Sequence, residues 1–209
     1  MDTTREESAL WLALSRIHGL GCVGFKRLAE HFPQPTRAFE ASEEELARVV
    51  GLEKPAIEGI LSFAGWEDIE REVSQLWAAD IAIVPYTERR YPSRLRTIND
   101  PPPVLYLKGQ LSLEDDRAVA IVGSRSASEY GLRTTRKLAT RLAQLGFTVV
   151  SGMARGIDGE AHRAALEAHG RTIAVLGSGV DVVYPPEHER LYREISARGA
   201  VISELPCGT

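Results

Sequence analysis

The chain has 209 residues, 44% of them hydrophobic and 26% charged, with a formal net charge of −4. That is the composition of an ordinary globular protein, long enough for one large domain or for a small and a medium one. No apolar stretch approaches the ~18 residues a membrane helix needs, so no membrane helix is expected, and the first thirty residues lack the features of a signal peptide.

The first eighty residues read as a string of helices. Leu10, Ala13, Leu14 and Ile17 recur at helical spacing on one face. His18-Gly19-Leu20-Gly21 breaks that helix, and a second short one carries Val23, Phe25 and Leu28. Pro33 and Pro35 mark the next break. Ser42-Glu43-Glu44-Glu45 has the form of a capping box, opening a helix with Leu46, Val49 and Val50 that Gly51 stops. Pro55 occupies a tolerated first-turn position before Ile57, Ile60 and Leu61, and a last helix uses Ile69, Val73, Leu76 and Trp77.

After Asp80 the pattern changes. Ile81–Val84 and Val104–Leu107 are short strand-like runs, with an ordered loop expected from Tyr91 to Pro103. From Ala118 strands and helices alternate: a buried strand at Val119–Val122, a helix to about Leu145, strand Thr148–Val150 and a helix to Ala168. Strand Ile173–Leu176, a helix to about Arg198 and strand Val201-Ile202 follow. Apolar strands without polar alternation, separated by helices, imply a mainly parallel sheet covered on both faces. The expected fold is α/β, a Rossmann-like doubly wound sheet preceded by small helices.

In such a sheet the ligand crevice lies outside the carboxyl ends of the strands. Three loops fall there: Gly123-Ser124-Arg125, Ser151-Gly152-Met153-Ala154-Arg155-Gly156-Ile157-Asp158, and Gly177-Ser178-Gly179-Val180-Asp181. Glycine lets backbone amides approach an anion, helix N-termini favour negative charge, and arginine offers a forked donor to phosphate. Local charge agrees: residues 1–80 carry 8 Lys/Arg against 15 Asp/Glu, whereas residues 117–171 carry 9 against 4. The local field steers a polyanion, so the middle of the chain is where a phosphate site is expected.

Other chemistries fit poorly. A dinucleotide fold wants G-x-G-x-x-G after the first strand and an acidic residue after the second; Gly123-Ser124-Arg125-Ser126-Ala127-Ser128 and Ser151 meet neither. A P-loop is absent. Asp158 reads as a helix N-cap, and Ser126-Ala127-Ser128-Glu129 as a capping box. His162 reads as a packed structural residue. Glu187, His188 and Glu189 point in different helical directions and would not gather on one metal ion. Cys22 and Cys207 have no metal-ligand spacing and read as two thiols in a reducing cytosol. No catalytic constellation, metal or cofactor is expected.

Ile121-Val122-Gly123-Ser124-Arg125, the run Ser151 to Asp158 with Ala161-His162, Gly177 to Asp181, Tyr184-Pro185 and Ser203-Glu204, taken in order, resemble the DprA/Smf family. Tyr91-Pro92, Leu95 and Pro101-Pro102-Pro103-Val104-Leu105-Tyr106 extend the resemblance upstream to about residue 80. It implies a cytoplasmic single-stranded-DNA-binding recombination mediator that helps load RecA recombinase in DNA uptake, not an enzyme, with a homodimer in the full-length form. By position, Gly123, Ser124, Arg125, Ser151 and Gly152 would bind phosphate beside Gly177, Ser178 and Gly179, with Arg155 a further cation; Arg125 is the foremost candidate. His18-Gly19-Leu20-Gly21 resembles the hairpin of helix-hairpin-helix modules, which implies a SAM/helix-hairpin-helix-like domain over residues 1–65 and an extended Rossmann-like domain over 66–209. The family's Rossmann domain continues through a F-P-x-R-N-R-I-I-A-G-like segment absent here, so the domain is expected to be incomplete at its C-terminus.

Two rival readings remain. The LOG-like nucleotide phosphoribohydrolases share the strand-one glycine loop, but their P-G-G-x-G-T-x-x-E element is missing from this chain. The helical front end could instead grip duplex DNA, but its net charge of −7 opposes that role.

Overall fold

The computed structural model describes residues 5–209, and residues 1–4 of the expected helical domain lie outside them. The chain forms two compact units, Met1–Leu105 and Tyr106–Thr209. That division falls later than the 65/66 boundary expected from the sequence, because the last helix of the front end and the first strand pack against the first helix.

The first unit contains helices α1 (Arg5–Ser15), α2 (Gly21–His31), α3 (Pro35–Glu40), α4 (Glu43–Ala47), α5 (Lys54–Leu61) and α6 (Trp66–Ala78), then strand β1 (Ala82–Pro85). Four consecutive α1 residues, Trp11, Leu12, Ala13 and Leu14, are buried. The expected one-sided stripe is therefore a helix enclosed on several sides, since α2, α3, α6 and β1 all contact it. Trp11 meets Phe25 of α2 with ring centroids 5.5 Å apart. The turn between these helices needs glycine: φ is +81° at Gly19 and +58° at Gly21. The Ser42 capping box forms as expected, Glu45 N–H donating to Ser42 Oγ at 3.2 Å and Ser42 N–H to Glu45 Oε2 at 2.9 Å. The Pro-rich stretch from Tyr91 is ordered but includes a short helix, α7 (Ser93–Arg96). Its anchor is buried Tyr91, whose hydroxyl donates to the Pro102 carbonyl at 2.9 Å.

Strand β2 (Val104–Gly109) leads into the second unit, which contains β3 (Ala118–Ala120), α8 (Glu129–Gln144), β4 (Thr148–Ser151), α9 (Ile157–Glu167), β5 (Thr172–Val175), α10 (Glu189–Arg198) and β6 (Ala200–Ser203). The sheet order is β1-β2-β6-β5-β4-β3. Strands β3, β4, β5 and β6 are mutually parallel, and β2 runs antiparallel to β6, Tyr106 opposite Ser203. This is the Rossmann-like α/β fold. The crossovers step in one direction from β3 to β6, with α8 beside α9 and α9 beside α10. Small residues allow the close approach: Ala139 and Ala143 of α8 pack with Ala161, Ala164 and Ala165 of α9 over Val149.

One strand departs from expectation. The buried run Val119–Val122 is a shorter, partly exposed strand, with Val122 73% exposed. Its position explains this: β3 is an edge strand with β4 as its single neighbour in the sheet.

Candidate nucleic-acid interface

The three loops do converge on the carboxyl edge of the parallel strands, and backbone contacts hold two of them together. Ile157 N–H, at the start of α9, donates to the Ser124 carbonyl at 3.2 Å. Gly156 sits at φ +74°, and a side chain there would collide with the Ser124 carbonyl oxygen. A Cβ on Gly123 would lie 2.7 Å from Ile157 Cγ1. These glycines serve close approach between backbones.

Asp158 is not the N-cap of α9; Gly156 is. The buried Asp158 carboxylate reaches across the edge and accepts from Gly123 N–H at 3.3 Å. Its other oxygen would stand 2.9 Å from a Cβ on Gly152, so Gly152 is small for that carboxylate. Nor does Ser126 open a capping box. Ser128 is the cap of α8, accepting from Gly131 N–H at 3.2 Å, while Ser126 N–H donates to Ser124 Oγ at 3.1 Å.

The polar groups of the edge divide by whether internal bonds occupy them. Ser151 is buried and its hydroxyl donates to the Ile121 carbonyl at 2.6 Å, tying β4 to the end of β3. Ser178 Oγ donates to the Val182 carbonyl at 3.1 Å. Gly179 N–H donates to the Thr209 carbonyl at 3.1 Å, and Asp181 accepts from Gly208 N–H at 2.9 and 3.0 Å. The third loop is thus laced to residues 206–209. Gly177 faces open space.

The two arginines differ. Arg125 is exposed and makes no ion pair or side-chain hydrogen bond among the described residues. Arg155 is paired with Glu187 through Nε–Oε1 at 2.5 Å and Nη2–Oε2 at 3.1 Å. That guanidinium holds the Glu187 carboxyl down to about 2, and the pairing raises Arg155. Next to Glu187, buried His188 donates from Nδ1 to the Met153 carbonyl at 2.9 Å and accepts from Arg163 at Nε2, 2.8 Å away. Two consecutive residues therefore grip the Arg155 loop, one through its backbone and one through its side chain. Among the described residues Glu187, His188 and Glu189 form no metal cluster, and Cys22 and Cys207 form no disulfide.

Residues 82–209 match the family model described as DNA recombination-mediator protein A. The chain belongs to that family. It is 39% identical over 214 residues to Protein Smf of Synechocystis, covering 97% of this chain and 52% of the relative. It is 44% identical over 118 residues to the DNA processing protein DprA of Streptococcus pneumoniae, covering 56% of this chain and 42% of the relative. The X-ray structure of DprA from S. pneumoniae superposes with a TM-score of 0.75 at 30% identity, covering all of this chain and 70% of that one. A Helicobacter pylori DprA structure, described as revealing that protein's single-stranded-DNA binding mode, gives a TM-score of 0.54 at 32% identity over 61% of this chain and 57% of its own. The chain spans about half the length of the Smf relative.

The fold adds groups that the loop motifs did not single out. Helix α8 rises from the Arg125 loop with Tyr130 on its first turn, 74% exposed. Arg133, Lys137 and Arg141 follow at four-residue spacing, all exposed. That spacing was readable as one helical face once α8 was expected. Among the described residues no helix is long and apolar enough to cross a membrane.

Proposed function

We propose that this chain binds single-stranded DNA at the carboxyl edge of its parallel strands. Gly123, Ser124, Gly152 and Gly177 shape the surface, Arg125 is the principal phosphate ligand, and the α8 cations extend the positive field. The observation that carries this reading is Arg125: an exposed guanidinium with no partner among the described residues, in a glycine-shaped loop, in a family whose H. pylori member has a described single-stranded-DNA binding mode. Affinity would come mainly from phosphate neutralisation, with Tyr130 offering a ring on which a base can stack. Ser151, Ser178 and Gly179 hold the loops in shape, because their donors already have internal acceptors.

In the fuller role the bound strand is passed to RecA recombinase, and the full-length form acts as a homodimer. The family description as a recombination mediator supports that role. The test is fluorescence anisotropy of labelled oligo-dT and a matched duplex, titrated with the chain and with Arg125→Ala at two salt concentrations. Salt-sensitive binding that prefers the single strand and collapses in the variant is expected. Equal binding by folded Arg125→Ala would remove this edge as the site.

A further inference from the structure

The two arginines of the edge carry different histories into an encounter with a polyanion. Arg125 has no partner among the described residues, whereas both nitrogens of Arg155 that face Glu187 are satisfied by its carboxylate. The Arg155 and Glu187 side chains are 54% and 52% exposed, so phosphate can reach the pair without unfolding anything. An ion pair this open to water is readily exchanged. Its geometry, two parallel N–H···O bonds, is the one an arginine offers to phosphate as well. Carboxylate and phosphate therefore compete for one fork.

The competitors are not equal. Glu187 is held in place, because the next residue, His188, is buried and anchored to Met153 and Arg163. A tethered carboxylate has a high effective concentration at Arg155, which a dissolved phosphate at ordinary concentration does not match. A strand already held at Arg125 is tethered too. The Arg125 loop is bonded to the Arg155 loop through Ser124 and Ile157 at 3.2 Å, so a neighbouring phosphate of that strand is delivered to the same fork.

We propose that Glu187 is a selectivity residue of this edge, an internal phosphate mimic that reserves Arg155 for a polymer with several phosphates and withholds it from a lone phosphate or mononucleotide. The inference rests on reading the edge as a single-stranded-DNA site. Removing the Glu187 charge frees Arg155 for either ligand. Oligo-dT affinity rises a few-fold at low salt, while the slope of log affinity against log salt stays near that of the native chain, because the polymer contacts Arg155 in both. Thymidine monophosphate, a weak competitor against the native chain, becomes a markedly better one.

The experiment titrates labelled oligo-dT with the native chain, Glu187→Gln, Glu187→Ala, Arg125→Ala and Arg155→Ala/Glu187→Gln, and repeats each with thymidine monophosphate as competitor. Thermal melting checks that each variant is folded. Tighter oligo binding and easier monophosphate competition in both Glu187 variants, both lost when Arg155 is also removed, support the proposal. Unchanged or weaker binding in folded Glu187 variants, with Arg125→Ala still damaging, overturns the gate and leaves the site reading intact. Silence of every folded chain, including the native one, overturns both.

Discussion

The two ends of the parallel strands each present arginine and carboxylate to one another, and they put the pair to opposite uses. At the amino end Arg171 meets Asp115 through Nε–Oδ1 at 2.6 Å and Nη2–Oδ2 at 3.0 Å. The guanidinium also donates to the backbone carbonyls of Gln110 and Arg198, and Asp115 accepts from Thr148 Oγ1 at 2.9 Å and Ser112 N–H at 2.7 Å. The side chains are 22% and 10% exposed. At the carboxyl end the Arg155–Glu187 pair is half exposed, and Arg125 has no partner among the described residues. The ion-pair geometry alone does not distinguish scaffold from site. Burial and the number of further bonds do: a buried, saturated pair resists exchange, whereas an open pair or a lone cation invites an external anion.

The sharpest way to break this comparison is at Arg171. Arg171→Ala strands a nearly buried Asp115 and removes two backbone contacts, so a loss of about 3 kcal/mol is expected, in the range for breaking one partner of a buried pair. Urea unfolding of the variant measures it, and oligo-dT affinity below the melting transition should be unchanged. A loss no larger than surface pairs give would place both ends of the sheet in one class.

A second test concerns the neighbouring floor residue. Thr172 Oγ1 donates to the Val149 carbonyl at 2.7 Å, so it must accept from His162 Nδ1, also 2.7 Å away. This leaves His162 Nε2 buried and without a hydrogen-bond partner among the described residues. Burial drives the imidazole down to about 3 from its ordinary 6.5. Between those values the unfolded chain takes up a proton that the folded chain refuses. Stability is therefore whole above pH 6.5 and declines as pH falls towards 3, by about 2 kcal/mol at pH 5 from this one group. Urea midpoints at pH 7.5 and 5 check the decline, and His162→Gln should flatten it. An unchanged profile in that variant would assign the acid sensitivity elsewhere.

The third effect is expected at the site and not in stability. Arg125→Ala should weaken oligo-dT binding roughly tenfold at low salt and flatten the salt slope by about 0.7. Its stability should stay within about 0.5 kcal/mol of the native chain, as for a surface substitution without partners. The amino-end and carboxyl-end arginine variants would then show opposite profiles, one losing fold and keeping affinity, the other the reverse.

What could be read from the chain follows the range of the interactions involved. The strand–helix alternation and the three glycine loops were legible because period and turn chemistry are local. The Ser42 capping box was legible for the same reason. The Ser126 box was misplaced because Ser126 and Ser128 both precede a plausible helix, and the Ser124–Ser126 bond settles the choice in favour of Ser128. Asp158 lies 35 residues from Gly123 and Glu187 lies 32 from Arg155, so their partnerships exist only once the edges are assembled. Arg125 and Arg155 look alike as arginines in glycine-bearing loops. Only the folded chain separates the cation that is open from the one that is held. The exposure of Val122 was hidden likewise, since an apolar run does not state how many neighbours its strand will have.

The smallest effect tests whether a hydroxyl beside the Arg125 loop belongs to the scaffold or to the proposed site. Ser128 lies three residues from Arg125, and its oxygen is the acceptor for Gly131 N–H at the start of α8. That amide would otherwise be one of the unpaired donors of the first turn. Ser128→Ala should cost about 1 kcal/mol in urea unfolding, as loss of an N-cap does. If the oxygen serves only the helix, oligo-dT affinity should move by less than about twofold, a shift of roughly 0.4 kcal/mol at most. Ser128→Asp separates the roles further. It keeps an acceptor for the cap and suits the positive end of the helix, so stability should return. It also adds a negative charge beside Arg125, so affinity should drop below that of Ser128→Ala. Stability restored while binding is lost would place Ser128 on the scaffold side of a boundary that runs between it and Arg125.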